Sequence, residues 1–151
     1  MITRWTSRLS SLQRFGFDTN ALIYALEGTV PYASMVAEVL AMMRKGEALG
    51  VISTVVELEL LVKPFRERDQ IALDQVTLML DDTPNLFIRS LDRSIARRAA
   101  DMRARTGLSI PDSVIAATAL EERCDAIIGN DVDMARRVNT IPYLCLDDYV
   151  H

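Results

Sequence analysis

Acidic residues recur where predicted strands meet predicted helices in this 151-residue chain. Asp18 ends an apolar stretch that begins at Phe15, Asp112 lies at the start of a helical pattern, and Asp131 follows the apolar run 125–129. In an open α/β sheet, ligands bind outside the carboxyl ends of the strands, so acids placed there can converge. A cluster of oxygen ligands suits Mg²⁺ or Mn²⁺, and hence phosphate chemistry.

Each of these acids also fits the simpler role of a helix cap. Asp18-Thr-Asn contains three good capping residues, and Ser109-x-x-Asp112 is a capping-box pattern. Asp131 and Asp133 could likewise cap the short helix predicted after them. Each cap explains its acid individually, but three acids at such junctions together favour a shared site.

A fourth acid is expected in the apolar segment 53–64. Glu57 and Glu59 are two residues apart, so on a helix they point about 200° from each other. Glu59 also precedes Lys63 by four residues, which is the spacing of a plain surface ion pair. Because a carboxylate on an apolar helix is rarely buried without a partner or a metal, we expect one of the two to face solvent and the other to be functional.

The strands and helices that position these acids are predicted from the hydrophobic pattern, in which strand and helix periods alternate. It predicts a three-layer α/β/α domain with a mostly parallel sheet of about five strands. The first 13 residues are polar and predict either an extra helix or a loose arm. We therefore divide the chain into an N-terminal extension, 1–14, and a single domain, 15–151. The predicted strands are 15–18, 48–53, 86–88, 125–129 and 143–146, and the predicted helices are 20–27, 32–45, 54–62 (ended by Pro64), 67–80, 92–105, 111–123 and 131–138.

Composition narrows the class of protein. No apolar run approaches the ~20 residues of a membrane span, and the N-terminus lacks the apolar core of a secretory signal, so we expect a cytoplasmic protein. Cys124 and Cys145 are not in a metal-ligand spacing. A net charge of −4 argues against a large basic nucleic-acid surface. Arg97, Asp101 and Arg105 follow at four-residue intervals, as on a solvated, ion-paired helix face, with RNA contact as the alternative.

Four motifs together resemble the PIN-domain family, and in particular the VapC ribonucleases of bacterial toxin–antitoxin pairs. The resemblance extends from about Phe15 to Tyr149 and identifies Glu59, rather than Glu57, as the functional acid. It rests on Phe17-Asp-Thr-Asn-Ala-Leu-Ile23, Glu59-Leu-Leu-Val-Lys-Pro64, Leu108-Ser-Ile-Pro-Asp-Ser-Val-Ile-Ala-Ala-Thr-Ala119 and Ile128-Gly-Asn-Asp131. The positions that match the metal-site acids of the family are Asp18, Glu59, Asp112 and Asp131, with Thr19 and Asn20 as supporting polar residues.

The resemblance implies a metal-dependent endoribonuclease, the toxin of a type II toxin–antitoxin pair, which hydrolyses RNA phosphodiester bonds. Asp18 and Asp112 would bind Mg²⁺ or Mn²⁺ directly, and Glu59 and Asp131 would bind the ion or orient its water. It further implies an antitoxin partner and a homodimer, with no membrane association.

One position departs from the pattern of the family. The family commonly carries Thr or Ser two residues before the fourth acid, and this chain has Gly129. We expect Asn130 to replace the missing hydroxyl, and Asp133 to substitute for Asp131 or to act as an outer ligand.

Two other functions stay open at this point. A Mg²⁺-dependent phosphatase-like domain also gathers acids at strand ends, but a phospho-acceptor usually shows an adjacent acidic pair where this chain has Asp18-Thr-Asn. A non-catalytic PIN-like module that binds RNA or protein is favoured by Gly129 and disfavoured by the retention of all four acids. His151 is the only histidine, which argues against a histidine-based mechanism. Neither G-x-x-x-x-G-K-[ST] nor G-x-G-x-x-G occurs, which argues against a nucleotide-cofactor fold.

Overall fold

A computed structural model describes residues 3–150 and contains one five-stranded sheet. All neighbouring strands are parallel, and their order across the sheet is β3-β2-β1-β4-β5. Helices cover both faces, which confirms the predicted three-layer α/β/α architecture. The strands are β1 (Arg14–Phe17), β2 (Leu49–Ser53), β3 (Leu86–Arg89), β4 (Ala126–Gly129) and β5 (Tyr143–Cys145).

The helices lie close to where the apolar spacing predicts them. Gly28 and Gly107 end the second and sixth helices in the left-handed conformation, with φ of 69° and 73°, which glycine adopts without a steric penalty. The helices are α1 (Arg4–Leu9), α2 (Thr19–Glu27), α3 (Tyr32–Arg44), α4 (Thr54–Glu67), α5 (Gln70–Asp82), α6 (Arg93–Thr106), α7 (Ile110–Glu121) and α8 (Val132–Arg137), and a 3₁₀ turn follows at Leu146–Tyr149.

The prediction that Pro64 ends the fourth helix is wrong, because α4 continues through Pro64 to Glu67. A proline inside a helix lacks one backbone donor and crowds the preceding turn. Val56, Leu60 and Pro64 are buried at four-residue spacing, so the proline ring lies on the face of α4 that packs into the core. Burial of this face compensates for the missing hydrogen bond, and α5 consequently starts at Gln70 rather than at residue 67.

The N-terminal segment forms a helix that belongs to the core. Trp5 and Leu9 on α1 are 2% and 1% exposed. The indole Nε1 of Trp5 also donates to the carbonyl oxygen of Met35 on α3 at 3.0 Å. Of the two alternatives predicted for this segment, the structure therefore has the helix.

The remaining predictions about composition concern cysteines and membranes. Cys145 is buried, Cys124 is half-buried, and both are free thiols. Within residues 3–150, no helix combines the length and the hydropathy that a membrane span requires.

Candidate functional site

Two of the predicted site acids follow strands at the point where the strand order reverses direction. From β1 the chain proceeds outward through β2 to β3, and then returns to place β4 on the other side of β1. Such a switch point leaves a crevice outside the carboxyl ends of the two central strands, which is where open α/β sheets bind ligands. Asp18 directly follows β1, and Asp131 follows β4 with one residue, Asn130, between them. The backbone N–H of Asp18 donates to Ile128 of β4 at 2.8 Å, which holds the two strand ends together.

Asp18 is the most buried of the predicted site acids, at 5% exposed. Its Oδ1 accepts a hydrogen bond from the backbone N–H of Thr19 at 2.8 Å, and its Oδ2 accepts one from the hydroxyl of Tyr143 at 2.8 Å. The pKa of Asp18 is raised to about 6, mainly by burial; the two hydrogen bonds lower it, and the negative charges of Asp112 and Asp131 contribute to the rise.

Glu59 reaches the same edge from α4. Its Oε1 accepts a hydrogen bond from the hydroxyl of Thr19 at 2.6 Å, so Thr19 joins the second and fourth helices beside Asp18. Lys63 pairs with Glu27 at 3.9 Å rather than with Glu59. Glu57 is half-buried, and is therefore not the fully solvent-facing partner that the sequence predicts.

Asp112 approaches from the first turn of α7, where Ser109 caps the helix and accepts a hydrogen bond from the backbone N–H of Asp112 at 3.2 Å. Partial burial raises the pKa of Asp112, the Ser109 contact lowers it, and the charges of Asp131 and Glu59 raise it again. Asp112 therefore interacts electrostatically with acids that come from α4 and from the loop after β4.

The loop after β4 is held by side-chain oxygens that accept backbone hydrogen bonds. Asp131 caps α8 through a hydrogen bond from Met134 N–H to its Oδ1 at 3.0 Å. Asn20 accepts from the backbone N–H of Asn130 at 3.2 Å, which ties α2 to this loop. The side-chain oxygen of Asn130 in turn accepts from the backbone N–H of Asp147 at 2.9 Å. The Asn130 side chain thus braces neighbouring loops.

Asp133 lies on an exposed face of the first turn of α8. Its carboxylate contacts Arg137 Nε at 3.0 Å and Arg136 at 3.7 Å, and its side chain is 60% exposed. On α6, Asp101 and Arg105 form the ion pair that their spacing predicts, at 3.2 Å. Exposed pairs of this kind contribute about 0–1 kcal/mol to stability.

The donor chemistry of this edge fits a hard divalent cation. Asp18, Glu59, Asp112 and Asp131 supply only oxygen, and the raised pKa values of Asp18 and Asp112 show carboxylates that a bound positive charge would stabilise. Across the described part of the chain, no three such side chains already form a closed ligand cluster. Mg²⁺ is usually bound by one or two carboxylates and keeps several waters, so the arrangement fits this ion.

The family of this chain is shown by sequence similarity. Residues 17–139 match the PIN domain family. The chain belongs to the PIN-domain family. The family predicted from the four motifs is thereby confirmed, and membership supports the coarse functional class, a nuclease and therefore a hydrolase. No curated protein matches the chain in sequence.

Solved structures share the fold of this PIN domain. VapBC2 from Rickettsia felis, bound to a DNA fragment from its promoter, has a TM-score of 0.69 at 16% identity, over 88% of this chain and 98% of the other. DNA-bound VapBC from Salmonella typhimurium gives 0.66 at 16% identity, over 89% and 98%. A toxin–antitoxin complex from Klebsiella pneumoniae gives 0.57 at 23% identity, over 85% and 94%. At these identities the likeness concerns the fold.

Tyr143 is the residue of this PIN domain that the sequence analysis missed. It lies on β5, and its hydroxyl contacts both Asp18 and the backbone N–H of Asp131, the latter at 3.0 Å. Burial and the charge of Asp18 raise the pKa of Tyr143, so the hydroxyl keeps its proton. The one signal in the sequence is indirect: Gly129 lacks the side chain that would otherwise occupy this space.

Proposed function

We propose that this chain is a metal-dependent endoribonuclease that acts in the cytoplasm as the toxin of a type II toxin–antitoxin pair. The observation that supports the proposal best is the link between the candidate acids at the switch point of a PIN-domain sheet: Thr19, next to Asp18, binds Glu59, and the charges of Asp112 and Asp131 act on Asp18. Burial, and to a smaller extent mutual repulsion, raises the pKa values of Asp18 and Asp112, as expected of carboxylates that a bound cation would stabilise.

Each acid has a role in this proposal. Asp18 and Asp112 bind Mg²⁺ or Mn²⁺ directly, and Glu59 and Asp131 bind the ion or orient its water. Thr19 fixes the Glu59 carboxylate by its hydrogen bond. When bound, the cation supplies positive charge for the phosphate and lowers the pKa of a water that can attack it.

The substrate is proposed on chemical and family grounds together. Cleavage of a phosphodiester needs stabilisation of an anionic phosphate, and an acidic edge without a cation would repel that group. Bound divalent cations reduce or neutralise the negative charge of the edge and offer a positive centre to the phosphate, which makes the acids compatible with a polyanion. RNA, rather than another phosphate ester, is supported by the resemblance to VapC ribonucleases.

The partners are proposed on similar grounds. Leu58, Val62 and Phe65 lie on one face of α4 and are 60%, 42% and 62% exposed. We call them the α4 apolar row. A contiguous exposed apolar patch is typical of a protein-binding surface. Because the structurally similar proteins are described as complexes of VapBC or of a toxin with an antitoxin, we propose that an antitoxin covers this row. The homodimer stays a prediction from the resemblance.

The test is cleavage of a panel of tRNA and rRNA fragments in Mg²⁺, Mn²⁺ or EDTA. Asp112→Asn is nearly isosteric and removes one anionic ligand, so we expect it to lower the rate by at least about 100-fold. Asp101→Asn is the matched control, because Asp101 lies on α6 in an exposed pair with Arg105. We expect its activity to equal that of the wild type.

The outcomes separate the alternatives. Equal activity of Asp112→Asn and wild type would show that Asp112 is not part of the site. Metal-independent activity would contradict the proposed chemistry. Absence of cutting by the wild type, with Mg²⁺ still stabilising it, would direct the search to other phosphate substrates. Absence of both cutting and metal binding would favour a non-catalytic module.

A further inference from the structure

Gly129 leaves a space that another residue of this chain fills. A Cβ atom built on Gly129 would lie 2.1 Å from the hydroxyl oxygen of Tyr143 and 2.7 Å from Cβ of Asp18. Both distances are under 3.0 Å, which real Cβ contacts essentially never show, so neither Ser nor Thr fits at this position while Tyr143 keeps its place. The absence of a side chain at Gly129 is therefore the condition under which the phenol of Tyr143 reaches the acids.

The hydroxyl of Tyr143 joins two parts of the candidate site. It donates to Oδ2 of Asp18 at 2.8 Å and accepts from the backbone N–H of Asp131 at 3.0 Å. Asp18 follows β1, Asp131 follows β4, and Tyr143 lies on β5. One hydroxyl thus connects the end of β1 to the loop after β4.

These contacts determine how Asp18 is oriented. Its two oxygens accept one hydrogen bond each, from Thr19 and from Tyr143, which fixes the plane of the carboxylate. An ionised carboxylate has about four lone-pair sites, so each oxygen keeps one for a cation. Asn130, the residue that the sequence predicts as the substitute for a hydroxyl at position 129, instead binds Asp147 and Tyr24.

We propose that Tyr143 is a positioning residue that orients Asp18 and the Asp131 loop for the divalent cation, and that Gly129 is the space it requires. This inference rests on the proposed metal-dependent function. Groups that hydrogen-bond to metal ligands commonly contribute about 10–100-fold to metal affinity. Tyr143 would act through Asp18 and would not touch the substrate.

The test compares Tyr143→Phe with the wild type by titration with Mn²⁺, followed by calorimetry and by the electron paramagnetic resonance of free Mn²⁺. The substitution keeps the ring and removes only the hydroxyl. We expect the Kd for Mn²⁺ to rise by about 10-fold or more. In RNA cleavage, the Mn²⁺ concentration for half-maximal rate should rise by a similar factor, with a smaller change in the rate at saturating metal.

Tyr149→Phe is the matched control, because it removes the same group from a ring that packs edge-on against Trp5. We expect its Kd for Mn²⁺ to equal that of the wild type. A Tyr143→Phe protein that is folded by circular dichroism and binds Mn²⁺ as tightly as the wild type would overturn the role of Tyr143. If the wild type itself binds no Mn²⁺, the proposed function fails, and this inference fails with it.

Gly129→Ser supplies a second, independent variant. It introduces the hydroxyl that the family commonly carries, so a simple replacement of a missing group would strengthen Mn²⁺ binding. We expect the reverse, a weakening by about 10-fold or more, because the new Cβ collides with the Tyr143 hydroxyl and with Cβ of Asp18, the two groups that Tyr143 joins. Unchanged or tighter binding by Gly129→Ser would contradict the coupling of the two residues.

Discussion

An acid of this chain that caps a helix can also serve as a metal ligand. Asp18 and Asp131 both accept backbone hydrogen bonds at the start of a helix, so the capping role expected from their residue types is present. A carboxylate that caps a helix retains free lone pairs on its oxygens. A cap and a metal ligand are therefore compatible in one side chain, and the two interpretations of the sequence do not exclude each other.

The raised pKa of Asp18 predicts that the metal-free protein loses stability as the pH rises. A carboxyl group whose folded pKa, about 6, exceeds its ordinary value of 3.8 favours folding less as the pH rises between these values. Above pH 6 the destabilisation is complete. Since one pKa unit corresponds to about 1.4 kcal/mol, we expect Asp18→Asn to raise the free energy of unfolding near neutral pH by on the order of 3 kcal/mol.

Urea unfolding in EDTA, near neutral pH and near pH 4, measures this effect. The gain from Asp18→Asn should shrink towards zero at the lower pH, where the wild-type carboxyl is protonated in the folded protein. Asp101→Asn, at an exposed position, should show no such gain. An equal change at both pH values would mean that the charge of Asp18 is not the cause.

At the scale of elements, the packed face of a helix outweighs local propensity. Pro64 remains inside α4 because it lies on the buried face with Val56 and Leu60. The polar sequence before β1 forms α1 for a similar reason, since two large apolar side chains anchor it. Glu59 lies on the same helix, N-terminal to Pro64, and α4 brings it within hydrogen-bond distance of Thr19.

The contribution of α1 is directly testable. Trp5→Ala removes a side chain that is 2% exposed together with its hydrogen bond to Met35, so we expect it to lower the free energy of unfolding by about 3–5 kcal/mol. Ser7→Ala, at an exposed position of the same helix, should change it by less than about 0.5 kcal/mol. Trp5 is the only tryptophan, so unfolding must be followed by circular dichroism. A cost under about 1 kcal/mol for Trp5→Ala would mean that α1 is dispensable.

At the scale of the whole molecule, the strand order decides where chemistry is possible. The reversal at β1 brings the loops after β1 and β4 together, and α4 and α7 contribute acids to the same edge. The α4 apolar row, on an exposed face of the same helix that carries Glu59, is a separate feature. The fold thus combines a candidate chemical site with a candidate binding surface on one helix.

The α4 apolar row predicts how a partner binds. We expect the double substitution Leu58→Ser and Phe65→Ser to weaken binding of the antitoxin by at least about tenfold, because buried aromatic anchors dominate interfaces. Stability should change by less than about 1 kcal/mol, since both side chains are exposed. Co-expression and co-purification with the product of the adjoining gene, followed by a measured Kd, provide the test. Binding that the double substitution leaves unchanged would assign the partner to another surface.

The sequence by itself determined the local features of this protein. Periodicity placed most of the helices and strands, and four short motifs identified the PIN-domain family and the candidate acids, whose roles stay predictions. These features are local because a few neighbouring residues suffice to favour a helix, a strand or a cap.

Tertiary structure alone decided which of these features meet. Thr19 and Glu59 are 40 residues apart, and Asp18 and Tyr143 are 125 apart. No local pattern predicts such contacts, because they depend on the order of strands in the sheet and on which helix faces are buried. The continuity of α4 through Pro64 has the same origin. The Tyr143 hydroxyl fills the space at Gly129 only because β5 pairs with β4, and that pairing also brings the hydroxyl to Asp18.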